Sequence, residues 1–229
     1  MRQYRKIIKD ASFYPLSLFE HIELNKMCEV AKRLDLRHAI PATSSNFSIR
    51  TKHVEQFLIT KSGIHKRNLN PSQFIRTHLT GSAIHPLAPK PSDETLLHAL
   101  IYKNLEYVNA VIHCHAIEFE HIQLQKNCIS SDENNNCENF GFYIFPGHEL
   151  LKALGYKDHN TAYYLPVIKN NQDMEKISQL IAEQFFNQQK KIPICAFLLE
   201  NHGIYCFGNS VRQAELRLEA LLHLSAYLK

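Results

Sequence analysis

Two apolar runs near the end of the chain constrain its fold more than any other feature. Ile194 to Leu199 and Ile204 to Phe207 flank the short turn Asn201-His202-Gly203. Short apolar runs bounded by turn residues read as buried strands. So short a turn joins them only as an antiparallel hairpin, because a parallel pair needs a crossover of roughly a dozen residues or more.

The same pattern recurs upstream. Phe47-Ser48-Ile49-Arg50 and Gln56-Phe57-Leu58-Ile59-Thr60 read as a strand pair, followed by a turn at Ser62-Gly63 and a further strand over Phe74 to Leu79. Val108 to His113 and Tyr163 to Ile168 are two more apolar strands. Helical spacing marks Leu16 to Leu36, the segment holding Leu96, Leu97, Leu100 and Ile101, the run from Met174 to Phe185, and the C-terminal stretch with Ala214, Leu218, Leu221 and Leu222. Lys90-Pro91-Ser92-Asp93-Glu94 reads as a helix start, with proline and acidic residues at the positive end. Glu149 to Leu154 reads as a short helix, and the Asn-, Ser- and acid-rich segment from Asn127 to Glu138 as a mobile loop. Strands and helices alternate irregularly, with hairpin-like junctions. The pattern predicts an α/β sandwich with a largely antiparallel sheet. No repeat or linker divides residues 1–229, so one domain is expected.

The basic start Met1-Arg2-Gln3-Tyr4-Arg5-Lys6 precedes no apolar stretch of the signal-peptide kind, and no window is apolar enough to cross a bilayer. A cytoplasmic protein with no membrane partner is expected. The six cysteines are scattered, which argues against a disulfide framework and makes Cys195 and Cys206 core residues. The formal net charge of +4 fits an anionic small molecule, and there is no P-loop, no GxGxxG and no basic aromatic helix to suggest nucleic acid.

Chemistry concentrates in a few places. His113 and His115 end a strand two residues apart, so alternation turns both rings to one side. Neutral imidazoles are good ligands for a divalent metal. His202, held in the hairpin turn, is the best third ligand, and three histidines leave coordination positions open for substrate. Glu94 and Glu149 each open a helix, and either is a candidate general acid/base if it faces the metal. Three polar clusters are candidates for phosphate. They are Thr43-Ser44-Ser45-Asn46, Thr60-Lys61-Ser62-Gly63 and Pro91-Ser92, with Lys66 adding a positive charge.

Taken in order, the turn Thr43-Ser44-Ser45-Asn46, then Thr60-Lys61-Ser62-Gly63, then Pro91-Ser92-Asp93-Glu94, then His113-Cys114-His115, then His202-Gly203 resemble the class II aldolase/adducin family over nearly the whole chain. The resemblance implies a three-layer αβα sandwich around a mostly antiparallel sheet. It also implies a homotetramer, with one zinc ion per subunit on His113, His115 and His202, and a small phosphorylated keto sugar as substrate. Within the family, the stretches Gly147-His148-Glu149-Leu150-Leu151-Lys152-Ala153-Leu154 and Pro166-Val167-Ile168-Lys169-Asn170-Asn171-Gln172-Asp173 are similar to the dehydratases and unlike the aldolases and epimerases. That likeness makes Glu149 the acid/base and ranks Glu94, at the aldolases' acid/base position, second. The alternatives are a sugar-phosphate aldolase or epimerase and, more remotely, a non-catalytic adducin-like binding domain. Thr43, Ser44, Asn46, Ser62, Gly63, Lys66 and Ser92 are the implied phosphate ligands. Ser45 stands where many relatives carry glycine, which tolerates positive φ better, and Asp93 stands where a small residue is common.

Overall fold

The computed structural model describes residues 15–129, 138–186 and 194–227. Its chain order is α1 (Leu18–Leu36), β1 (Asn46–Arg50), β2 (Gln56–Thr60), β3 (Phe74–His78), α2 (Thr95–Asn104), β4 (Ala110–Cys114), α3 (Leu124–Asn127), β5 (Phe140–Phe145), β6 (Tyr163–Ile168), α4 (Met174–Ile181), β7 (Ala196–Leu199), β8 (Gly203–Gly208) and α5 (Val211–Tyr227). Most of the segment expected to be a mobile loop, residues 130–137, lies outside the described residues.

The eight strands form one sheet in the order β3-β2-β1-β4-β8-β7-β6-β5. Neighbours run antiparallel except β6 and β7, which pair in parallel through Val167–Leu198 and Ile168–Leu199. The chain reaches β7 from β6 by way of α4, the crossover that a parallel pair requires.

Strand alternation creates two cores. Phe47, Ile49, Leu58, Ile112, Leu198, Ile204 and Cys206 face one way and pack with residues of α1 and α5. Their sequence neighbours Phe57, Ile59, Val111, Phe197, Tyr205 and Phe207 face the other way and pack with α2 and α4. Both faces are therefore covered by helices, and the three-layer αβα sandwich expected from the sequence is observed. Cys195 and Cys206 are buried and unbridged, as core residues should be.

Local chemistry fixes the helix ends. Ser17 and Glu20 form a reciprocal capping box at the start of α1. Asp173 caps α4 through the backbone N–H groups of Glu175 and Lys176. Two readings shift. Lys90 to Glu94 precedes the helix it was expected to begin: Pro91 bridges to Lys61, and α2 starts at Thr95 with Glu94 in the capping position but making no cap. Glu149–Leu154 is a tight 3₁₀ turn of chain, ended by Gly155 at φ +99°.

Candidate metal centre

The central strands β4 and β8 carry the site at their adjoining ends. His113 lies on β4 opposite Tyr205 of β8, His115 follows just beyond β4, and His202 occupies the turn that leads into β8. The backbone N–H of His115 is fixed by the Ala39 carbonyl at 2.9 Å. Gly203 is required by close approach. A side chain there would meet the Cys114 carbonyl and stand 2.9 Å from the His113 ring. One ligand atom from each of the three histidines falls within 4.8 Å of the others.

The ring nitrogens suit a cation. His113 Nδ1 lies 3.1 Å from the Ile204 carbonyl, and His202 Nδ1 lies 3.4 Å from Asn170 Oδ1. Donating there leaves each Nε2 lone pair aimed at the shared centre, as an outer partner does for a metal-bound histidine. Nε2 of His113 and Nε2 of His115 face each other at 3.1 Å, and the buried Nε2 of His202 has no aligned hydrogen-bond partner. Burial depresses His113 to about 3 and His115 to about 4, so both rings are neutral near pH 7. Neutral, convergent and incompletely satisfied nitrogens fit a divalent metal.

Glu94 is the carboxylate at this centre. Its Oε1 lies 2.9 Å from His202 Nε2, and its Oε2 lies 3.2 Å from His113 Nε2. Oε2 also accepts from Asn46 Nδ2 at 2.8 Å and from the Tyr205 hydroxyl. Burial alone would raise the Glu94 carboxyl. His113, His202 and the Tyr205 hydroxyl outweigh that effect and hold it well below the usual carboxylate range. Tyr205 is itself locked by stacking on His113, with ring centres 4.1 Å apart, and on Phe197 at 4.8 Å.

The three polar clusters named from sequence are tied together beside this centre. Lys66, buried, donates to the carbonyls of Thr43 at 2.9 Å and Ile64 at 2.8 Å, so it joins the first cluster to the segment following Ser62 and Gly63. The backbone N–H of Ser62 binds Lys90 O, and that of Ser92 binds Thr60 O. Ser44 turns its hydroxyl back to the Pro41 carbonyl. Burial lowers the Lys66 ammonium to about 8, partly opposed by Glu94. Ser45 does adopt the left-handed region, at φ +69°, and its buried hydroxyl has no partner. Asp93 is exposed and paired with Lys90.

Glu149 lies elsewhere in the chain. Its 3₁₀ segment packs Leu151 and Leu154 into the core shared with α5, whereas Glu94 opens α2 on the opposite side of the sheet. Glu149 is 65% exposed, 2.6 Å from Lys152 Nζ and 3.5 Å from His159 Nδ1. It rims an open groove of about 620 Å³ with Arg37, His148, Leu216 and His223. The chain thus brings Glu94 to the histidines and does not bring Glu149.

Sequence reasoning gave no role to Tyr205, Asn170 or His98. A signal existed for two of them. Tyr205 is two residues beyond Gly203 on an alternating strand, and His98 is one helical turn beyond Glu94.

A mostly antiparallel sheet between helical layers, with three imidazoles and a carboxylate at the ends of its central strands, defines a class of αβα protein whose central strands could hold a metal ion, and among the described residues no other cluster of this kind is present. The pattern of the family described as Class II Aldolase and Adducin N-terminal domain matches residues 25–227, and the chain belongs to that family. It is 32% identical to the methylthioribulose-1-phosphate dehydratase of Acidiphilium cryptum, across 86% of this chain and 84% of that one. To the methylthioribulose-1-phosphate dehydratase of Granulibacter bethesdensis it is 34% identical, across 85% of each. Among solved structures it resembles L-fuculose-1-phosphate aldolase from Thermus thermophilus, with a TM-score of 0.61, 22% identity and coverage of 91% of this chain and 94% of that one. It also resembles YgbL from Escherichia coli, with a TM-score of 0.70, 20% identity and coverage of 92% and 89%. The structural likenesses speak to the fold.

Proposed function

We propose that the chain is a zinc-dependent lyase that dehydrates 5-methylthioribulose 1-phosphate to 2,3-diketo-5-methylthiopentyl 1-phosphate in methionine salvage. The observation that carries this reading is the convergence of His113, His115, His202 and Glu94 beside linked polar turns, in a chain whose curated relatives bear that activity in their names.

The three histidines would hold one zinc ion, which supplies Lewis-acid polarisation of the substrate carbonyl. The chain's own groups do the rest. The turn from Thr43 to Asn46, Ser62-Gly63 and Ser92 receive the phosphate through the hydroxyls of Thr43, Ser62 and Ser92 and the Gly63 N–H, since the N–H groups of Ser44, Ser62 and Ser92 are taken by backbone carbonyls, with the Lys66 charge behind them. Glu149 removes the proton from C3, and the electron pair left behind forms the enediolate shared by C2 and C3. The C4–O bond then breaks, the departing hydroxyl takes the proton from the same carboxyl, and water leaves. The resulting enol takes a proton at C4 and becomes the diketone, with its phosphate retained.

Because Glu149 stands apart from the histidines of its own chain, this reading requires it to come from a neighbouring copy. A homotetramer, the assembly implied by the family resemblance, supplies one. Glu94 is the second acid/base candidate and fixes the electrostatics at the centre. A cytoplasmic site of action belongs to the same reading, supported by five described cysteines that carry no disulfide. Among the described residues, no helix is long and apolar enough to cross a membrane.

A second reading, a class II sugar-phosphate aldolase or epimerase, is favoured by one observation: Glu94 is the only one of the two carboxylates placed at the centre within a single chain. A non-catalytic adducin-like domain has no such support, since all three histidines are kept and converge. Turnover of methylthioribulose 1-phosphate by zinc-loaded protein tests the choice. Diketone without cleavage fragments is expected. Fragments or an epimerised sugar would transfer the chemistry to Glu94 and the second reading.

A further inference from the structure

His98 is fully buried on α2, is absent from the mechanism above, and has both ring nitrogens engaged. Its Nε2 meets Asn46 Oδ1, and its Nδ1 lies 2.7 Å from Ser48 Oγ. Ser48 Oγ in turn lies 2.8 Å from the Tyr102 hydroxyl. Asn46 closes the line by donating from Nδ2 to Glu94 Oε2.

We infer that His98 is a positioning residue for Glu94, acting through the Asn46 side chain at the end of this buried hydrogen-bonded line. The direction of every hydrogen bond follows from one constraint. A carboxylate only accepts, so Asn46 must present its NH₂ to Glu94 and its carbonyl to His98. His98 must then carry its proton on Nε2. A neutral ring protonated there has a bare Nδ1, which accepts from the Ser48 hydroxyl. Ser48 oxygen is left to accept from Tyr102. Burial keeps the ring neutral, as this pattern requires.

All donors therefore point toward Glu94, and their dipoles add in favour of its charged form. The Asn46 amide cannot turn over without setting its carbonyl against a carboxylate. Asn46 and Tyr205 together fix Oε2 and leave Oε1 as the freer oxygen, facing His202 Nε2. The line selects which carboxylate oxygen is available at the centre. It also uses the Asn46 side chain, so any contact of Asn46 with phosphate falls to its backbone.

The inference rests on the reading that Glu94 works at the metal centre, and its tests separate the two. The ¹⁵N spectrum of the His98 ring in the intact wild-type protein, with and without zinc, reads the tautomer independently of activity. The Nε2–H form is expected in both states, and an Nδ1–H form overturns the inference. In kinetics, His98→Phe keeps the volume and removes both polar contacts. Its kcat should fall roughly 10- to 100-fold, the loss typical when an orienting partner of a site group is removed, with KM and bound zinc unchanged. His98→Gln, which restores a donor toward Asn46, should recover most of the turnover. Adding His98→Phe to Glu94→Gln should cost nothing further, since its effect runs through Glu94. Wild-type turnover in His98→Phe, or equal losses in both backgrounds, overturns the inference. If Glu94→Gln itself turns over normally, the reading of Glu94 fails and the tautomer alone decides for or against the line. Should His98→Phe fail to fold, the wild-type spectrum still decides.

Discussion

Glu94 and Glu149 begin from the same chemistry and end in opposite surroundings. Glu94 is 15% exposed and is held by four side chains, from β1, β4, β8 and the turn before β8. Glu149 is 65% exposed and is held by a lysine three residues away and a histidine on a nearby loop. A buried, over-determined carboxylate is fixed in place by its own chain. An exposed one with a local ion pair is free to be captured by something else, because such pairs contribute only about 0–1 kcal/mol. The difference teaches that a single chain brings Glu94 to the three histidines by itself, whereas the proposed role of Glu149 depends on a neighbouring copy.

That contrast can be broken by experiment, beginning with the largest effect. His202→Ala should lose bound zinc, measured by metal analysis, and turnover should fall by at least about 10²–10³-fold, the scale of losing a major electrostatic stabiliser. Full zinc content in that variant would remove His202 from the ligand set. Glu149→Gln should lower kcat by about 10²–10⁴-fold with zinc retained. Mixed assemblies of Glu149→Gln and His202→Ala chains should then regain activity, since some boundaries pair an intact Glu149 with an intact set of histidines. No recovery would refute delivery from a neighbour.

A third carboxylate calibrates the first two. Glu20 is buried against Arg76, with two hydrogen bonds of 2.8 and 3.1 Å, and has no part in the proposed chemistry. Glu20→Ala should destabilise the fold by about 3–5 kcal/mol, the cost of stranding a buried charge, while zinc-loaded folded protein keeps its turnover. Burial raises the Glu20 carboxyl, but the Arg76 and Ser17 contacts outweigh it and set it below its ordinary value. Its folded pKa is therefore the lower one. Its contribution is complete above the unfolded value and is lost as pH falls through the folded value. Acid unfolding should accordingly be shallower in Glu20→Gln, read from urea midpoints across acidic pH. The smallest effect is expected at Ser45. Relieving its φ of +69° by Ser45→Gly should stabilise the fold by about 1 kcal/mol, and an unchanged urea midpoint would show the turn to be unstrained.

Much of this is legible in the sequence. Alternation gave the two-faced strands, and the spacing of His113 and His115 with the hairpin turn at His202 marked the three histidines that converge. The parallel pairing of β6 with β7 was not legible, because an apolar run does not state which neighbour it takes. Nor were the partners of Glu94. Asn46 lies 48 residues before it and Tyr205 111 after it, separations at which local propensity says nothing. A carboxylate at a helix start favours the dipole locally, yet the Glu94 side chain makes no cap and turns to the histidines, a tertiary demand that overrides a local one. For Glu149 the sequence offered a family position but no location, since an exposed residue in a short 3₁₀ segment carries no signal of where in the fold it lies.

The pairing of β4 with β8 joins residues about ninety positions apart, Cys114 beside Ile204 and Ala110 beside Gly208. During synthesis, His113 and His115 leave the ribosome long before His202 exists. The three-ligand centre therefore appears only when the last hairpin docks onto the sheet, and long-range pairings of this kind close slowly. A chain cut before β8 would lack His202 and with it the convergence of the three histidines.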